Sequence, residues 1–397
     1  MAVAKTKIVL HAGHGKTGTS AIQSALAISA DALLKNGIHY PIDPNERQRA
    51  ARFEITSGNW KHNPTISLSE QCLELAASNA AGHTIVLSSE SLFWHLTDFV
   101  HQKEQWNEAV DIHVILAVRE LEEMLSSEYQ QRVKRHGESK PFEQFLKRRN
   151  FISSHHKKAA EVLTQLSQQN VPVTLINYSA HKKTISKKVF DALGCSDLFP
   201  KEKMGDLVIN RSLSQKELQM LMMINALYYD QFPWISARLS DALAKNLPNT
   251  ETQRSRISPQ SLEKLYDKND SYLQIINSHL SAQEPLTVQQ TLKRDRQTKN
   301  PGKRLQKIRQ EEEQSVQLIS QTLLEALRND PTKRLCNETI DALIKTSQTE
   351  NTPAHVEVEL LEIAKINRPQ GQRLGQLLER AQIKKQQSQT KSIGTDL

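Results

Sequence analysis

The chain predicts an α/β fold: a three-layer αβα arrangement with a central, mainly parallel sheet, followed by a helical C-terminal appendage. Three observations predict it. Short apolar runs rich in β-branched residues alternate with amphipathic stretches as far as residue 177, the rhythm of a parallel sheet covered on both faces. A Gly-rich turn joins the first apolar run to the first helical stretch, the opening of a βαβ unit. After about residue 200 strand-like runs stop and helical spacing alone continues.

Residues 7–11, Lys-Ile-Val-Leu-His, form the first strand, and residues 12–18 form the Gly-rich loop. Ile22, Leu26, Leu33 and Leu34 give residues 19–35 a helical face, and Gly37 is a natural stop. A helix is expected over 67–81 and a buried strand over 84–88, Thr-Ile-Val-Leu-Ser. A helix over 99–110 leads into the strongest strand, 111–118. Helices over 120–135 and 159–169 precede a strand over 171–177, introduced by Pro172. The later helices read as 214–229, 235–246 and 259–280.

Composition bounds what this architecture can be. The 397 residues are 38% hydrophobic and 24% charged, enough apolar material for a core, which excludes wholesale disorder. Lys and Arg number 52 against 44 acids, a net +8 that admits an anionic partner without naming it. Cys72, Cys195 and Cys336 are far apart and lie in no CxxC or Cys/His pattern, so a disulfide scaffold and a structural zinc are not expected. No apolar run approaches membrane-spanning length and no apolar leader follows Met1. The expectation is a soluble, cytoplasmic protein. Composition shifts near residue 285, with no aromatic residue after Tyr272, so residues 1–285 are expected to form one α/β domain whose helical part is about 200–285. Residues 286–397 are expected to be a basic helical appendage with a frayed tip. Residues 293–309 hold eight basic residues and one acid. Such a run is ordinarily a solvated face; peripheral contact with a membrane surface or an acidic acceptor is the functional alternative, and no specific nucleic-acid module is present.

Residues 11–20 read His-Ala-Gly-His-Gly-Lys-Thr-Gly-Thr-Ser. Amides at a helix N-terminus carry partial positive charge, glycine lets backbone approach an anion, and Lys16 adds a full charge. Gly15, Thr17, Gly18, Thr19 and Ser20 complete a cradle for a phosphoryl or phosphosulfate group. A Walker A loop ending at Gly15-Lys16-Thr17 needs glycine at position 10, where Leu10 stands. The loop is therefore shorter than that motif.

The stretch His11–Gln23 resembles the 5′-phosphosulfate loop of the PAPS-dependent sulfotransferase superfamily, bacterial sulfotransferase-like members in particular, whose pattern is approximately His-x-Gly-x-x-Lys-Thr-Gly-Thr-Ser/Thr-x-Ile-Gln. PAPS is 3′-phosphoadenosine 5′-phosphosulfate. Downstream, the strand 114–118 ends in Arg119, Ser127 follows eight residues later, and Val208–Ser214 is similar to a returning segment of these proteins. The resemblance covers roughly residues 5–280. It implies PAPS as co-substrate, no metal, Arg119 and Ser127 on the 3′-phosphate, Asn210 and Arg211 near that phosphate, with helix capping around Ser212 and Ser214 the equal alternative for that segment, and a hydroxyl acceptor on a carbohydrate or glycolipid. Independently, a molecule with phosphates at two ends needs two separated anion sites, and the guanidinium fork suits the second. Ser126 is a substitute for Ser127.

Sulfuryl transfer requires a base for the acceptor hydroxyl and a cation for the leaving phosphate. Glu90 follows a strand end, where parallel sheets hold ligands, and the resemblance places a carboxylate or histidine there as base. Lys16 would stabilise the bridging oxygen, and the resemblance implies contact between Ser127 and Lys16. His11 and His14 are alternative acid–base groups, whereas His155-His156, beside Lys157 and Lys158, reads as a solvated helix start. Phe93 and Trp94 fit either the acceptor side or the core. Two rival functions remain open at this level. A P-loop kinase or NTPase fits Gly15-Lys16-Thr17 but lacks the first glycine and an Asp-ended strand for Mg²⁺. A catalytically inactive polyanion-binding protein of the same fold fits the basic stretch.

Overall fold

The computed structural model describes residues 5–54, 56–79, 82–204, 212–250, 255–287, 301–328, 335, 337–349, 352–368 and 371–393. Five strands, β1 (Thr6–Gly13), β2 (Ile38–His39), β3 (Thr84–Ser88), β4 (Val110–Val118) and β5 (Val173–Asn177), form one sheet in the order β2-β3-β1-β4-β5. Every pairing is parallel, with Ile8 beside both Ile85 and Ile112. The α/β class expected from the alternating pattern is the observed one.

Helices fill the crossovers: α1 (Thr19–Ile28), α2 (Ala30–Lys35), α3 (Pro44–Ala51), α4 (Leu68–Ser78), α5 (Leu92–His101), α6 (Lys103–Trp106), α7 (Leu121–Arg135), α8 (Phe142–Arg148) and α9 (Ser154–Gln168); α10 (Ile185–Leu193) follows β5. Strand residues alternate between two apolar layers because successive side chains point to opposite faces. Val9, Val86, Ile115 and Ile176 share a core with Ile22, Leu26, Leu33, Val189 and Phe190 from α1, α2 and α10. Ile8, Leu10, Val114 and Leu116 belong to the other layer and are equally buried. There α5 packs on β1 and α9, and Pro259–His279 packs along α9.

Several boundaries differ from expectation for local reasons. The helix expected over 99–110 begins at Leu92, since Leu92, Phe93, Leu96, Phe99 and Val100 all bury, and β4 already starts at Val110. The helix expected over 19–35 breaks at Ser29, whose hydroxyl donates to the Leu198 carbonyl. Gly37, with φ of 75°, turns the chain after α2 as expected. β2 is only two residues long and carries no detectable period.

Contacts divide the chain into two compact units. The first comprises Met1–Glu128, Phe142–Asn210 and Arg256–Thr298, and holds the whole sheet. The second comprises Tyr129–Pro141, Arg211–Ser255 and Lys299–Leu397. Its described elements are helical: the end of α7, Gln215–Tyr228 with a Ser214/Glu217 capping box, Ile235–Asn246, Pro301–Arg328, Asn337–Ser347, Ala354–Asn367 and Gln372–Ile393. This contact grouping and the composition shift near 285 partition the chain differently, because residues 211–255 group with the C-terminal helices. Among the described residues no helix is long and apolar enough to cross a membrane, and Cys72 and Cys195 are buried free thiols.

The strand order places the site. From β1 the chain first visits the β2–β3 side and then crosses to β4 and β5. The connections leaving β1 and β4 therefore diverge, which opens a crevice at the carboxyl ends of these two strands. Residues 14–18 and Arg119 stand at that crevice.

Candidate active site

The loop after β1 is shaped by two residues with positive φ, Lys16 at 69° and Gly18 at 81°. This conformation is costly for lysine and natural for glycine. Gly18 is the N-cap of α1 and supplies no side chain, and no acid stands in the first turn. The first amides of α1 are thus left without the side-chain acceptor that most helices provide for themselves. Thr17 and Thr19 are buried, and among the described residues their hydroxyls have no hydrogen-bond partner. Buried polar groups are normally paired, so the two hydroxyls and the uncapped helix end together form an unsatisfied donor set suited to an anion. A Cβ on Gly13 would collide with the Thr17 hydroxyl and lie 3.1 Å from that of Thr19. Glycine at this position keeps the cradle open. Ser20 is half-buried in the first turn of α1.

Arg119 lies between β4 and α7 and braces the loop. Its Nη1 donates to the Lys16 carbonyl at 2.9 Å, and its backbone N–H donates to His14 Nε2 at 3.1 Å. Nε faces the Glu123 carboxylate at 3.4 Å, and the guanidinium lies over the Tyr178 ring, 5.2 Å from its centroid. Glu123 is buried and also receives Lys182 Nζ at 2.6 Å and the Ser179 hydroxyl at 2.9 Å. A buried carboxylate is tolerated only with such partners. Arg119 and Lys182 are thereby gathered at the carboxyl ends of β4 and β5. Tyr178 closes the group from below, so that a Cβ on Gly18 would stand 2.9 Å from its ring.

Four histidines lie at or beneath the loop. His11 bonds the Ser88 hydroxyl at 2.7 Å, and burial pushes its pKa down to about 4. His14 is also fully buried; desolvation first, then His156 and His155, hold its pKa well below the ordinary range. Neutral, it accepts the Arg119 amide and ties the end of β1 to that of β4. His156 bonds the Arg119 carbonyl at 2.8 Å and the Ser153 hydroxyl at 2.8 Å, with its pKa pushed to about 4 by burial. Ser153 is itself held by Asn269 on Pro259–His279. The expectation of a solvated helix start at His155-His156 is therefore incorrect: both rings turn inward, packing at 5.8 and 5.2 Å from His14.

Of the residues expected at the site, Gly15, Lys16, Thr17, Gly18, Thr19 and Ser20 form the loop, and Arg119 reaches it directly. Glu90 is exposed after β3. Its Oε2 lies 3.9 Å from where a Cβ on Gly15 would stand, and His155 Nε2 lies 4.0 Å from the same point. Ser127 is half-buried on α7, and no hydrogen bond joins it to Arg119 or to the loop among the described residues; Ser126 is buried. Phe93 is core, whereas Trp94 is 46% exposed beside His155 at 5.4 Å. Asn210 and Arg211 lie outside the described residues, as do residues 293–300 of the basic stretch. The sequence offers Glu122 or Glu123 as an ion-pair partner of Arg119, and Glu123 is that partner; sequence reasoning set His155 aside as solvent-facing and missed Glu128, Tyr178, Ser179 and Lys182. The strand-end rule that selected Glu90 and Arg119, applied to β5, would have found residues 178–182.

No protein-family model and no curated protein matches the chain. Among solved structures, it is similar to retinol dehydratase in complex with androsterone and the inactive cofactor PAP, at 12% identity over 83% of each chain, with a TM-score of 0.23. Among the described residues no group of three or more His, Cys, Asp or Glu is placed to hold a metal ion.

Proposed function

We propose that the protein is a PAPS-dependent sulfotransferase, moving a sulfuryl group to the hydroxyl of a carbohydrate or glycolipid acceptor by in-line displacement. The observation that carries this reading is the anion cradle after β1. A helix end without a cap, two buried hydroxyls without partners and the Lys16 backbone meet in one loop. The loop's likeness to the sulfotransferase phosphosulfate pattern supports the same reading. PAPS supplies an activated sulfuryl group on a phosphate leaving group.

In this reading each residue has a role. The amides of Gly15 to Ser20 and the hydroxyls of Thr17 and Thr19 hold the phosphosulfate end. Lys16 neutralises charge developing on the bridging oxygen. Arg119, with Ser127 as the expected hydroxyl donor, serves the 3′-phosphate. Lys182 adds a cation beside them that is shared with Glu123. Glu90, facing Gly15 from the β3 end, is a carboxylate candidate for the acceptor proton. No metal takes part in this scheme, since fixed cations and amides meet the developing charge. The test is calorimetric titration with 3′-phosphoadenosine 5′-phosphate, PAP, in EDTA. Binding at micromolar strength or tighter that is lost in Lys16→Ala supports the reading. Binding of ATP with Mg²⁺ in place of PAP would move the protein to the kinase and NTPase class.

A further inference from the structure

We infer that His155, rather than Glu90, takes the acceptor proton, with Glu128 as its positioning carboxylate. The inference rests on the sulfotransferase reading of the same site. The two candidates flank Gly15 equally closely, at 4.0 and 3.9 Å from its Cβ position. Their surroundings differ. Glu90 is exposed, and among the described residues no second group fixes its carboxylate. His155 is only 15% exposed, and a partner sits behind it: Nδ1 is 3.7 Å from Glu128 Oε2. Arg149 Nη1 holds the other oxygen of Glu128 at 2.8 Å. A carboxylate behind Nδ1 favours the proton there, which leaves the Nε2 lone pair facing the loop. The 3.7 Å separation is an ion-pair distance that shortens when the imidazolium forms, as base–carboxylate contacts do on substrate binding. Trp94 packs on the ring edge at 5.4 Å and limits its rotation.

The groups facing His155 are Glu128 on α7, Arg149 after α8, Lys16 and His14 on the loop, Glu90 after β3, and His156 on its own helix. Desolvation, opposed by Glu128 and reinforced by Arg149 and Lys16, lowers its pKa. The ring is therefore neutral, and a competent base, at pH 7. In the step, the acceptor O–H bond breaks and its proton goes to Nε2 as the O–S bond forms. The bond from sulfur to the bridging oxygen breaks, its electron pair leaves with the phosphate of PAP, and the imidazolium afterwards returns the proton to water.

Single-turnover release of labelled sulfate from PAPS, with water as the acceptor, tests this without a known glycan. PAP affinity is measured on every variant by calorimetry. The expected result is a loss of at least about 100-fold in His155→Gln and a clearly smaller loss in Glu90→Gln, with PAP affinity within threefold for both. The wild-type rate rises with pH along an acid limb below 6.5, and Glu128→Gln moves that limb to lower pH. This second variant decides the matter if His155→Gln does not fold. The inference is overturned if Glu90→Gln carries the loss, if neither variant slows release, if Glu128→Gln leaves the limb in place, or if wild-type protein binds PAP but releases no sulfate. Failure of wild-type protein to bind PAP overturns the sulfotransferase reading itself.

Discussion

Acidification should destabilise the sheet unit between pH 7 and 5, because its buried histidines are held neutral. His11 and His156 each have a folded pKa of about 4 against an ordinary 6.5. The unfolded chain therefore binds more protons than the folded one below pH 6.5. The stability contributed by neutral burial is complete above 6.5 and is lost progressively as pH falls toward 4. The full shift corresponds to about 3 kcal/mol per histidine, of which about 2 kcal/mol is lost by pH 5. Two such residues remove about 4 kcal/mol at pH 5, a large share of a typical domain stability of about 5–15 kcal/mol. His14 shifts in the same direction and adds to the loss. Urea melts followed by tryptophan fluorescence report on this, since Trp60, Trp94 and Trp106 belong to the unit that holds the sheet. The midpoint should fall steadily between pH 7 and 5, and His11→Asn should flatten part of the slope. A midpoint unchanged over that range would refute the assignment of these rings as buried and neutral.

Other outcomes follow from the loop and its brace. Gly13→Ala drives a methyl into the Thr17 hydroxyl; it should weaken PAP binding by at least about tenfold and cost about 1–3 kcal/mol in a thermal melt. Lys16→Gly relieves a lysine at φ 69°; by circular dichroism it should melt no lower than wild type, although sulfuryl transfer is abolished. Arg119→Lys keeps the charge but cannot reach both the Lys16 carbonyl and Glu123. Calorimetry should show PAP affinity reduced by at least about tenfold, because one ammonium does not reproduce the guanidinium fork. Trp94→Ala, at an exposed position, should leave PAP affinity unchanged and raise KM for a glycan acceptor.

Much of this site is legible in the sequence because its parts are local. The loop from His11 to Ser20 is contiguous, and β-branched runs mark the strands that end beside it. Arg119 was visible as the residue that ends the strongest strand. What escaped was set by distant contacts. His155-His156 beside two lysines reads as solvent-facing, and only Asn269 and Ser153, with the Arg119 carbonyl, turn His156 inward. Glu123 reads as one more helix-surface acid until Lys182 and Ser179, from beyond β5, reach it. The eight-residue spacing to Ser127 is plain in the sequence, yet the described structure joins that hydroxyl to neither Arg119 nor the loop. Likewise β2, with two residues, exists only through its pairing with β3.

In the sulfotransferase reading the cradle after β1 takes the phosphosulfate end of a nucleotide and not a Mg²⁺-bound triphosphate. Calorimetry of the purified chain with PAP in EDTA, and with ATP and Mg²⁺ in a parallel cell, tests it most directly. PAP should bind at micromolar strength or tighter without metal, and ATP with Mg²⁺ should not bind. Binding of ATP with Mg²⁺ and no heat with PAP would contradict it.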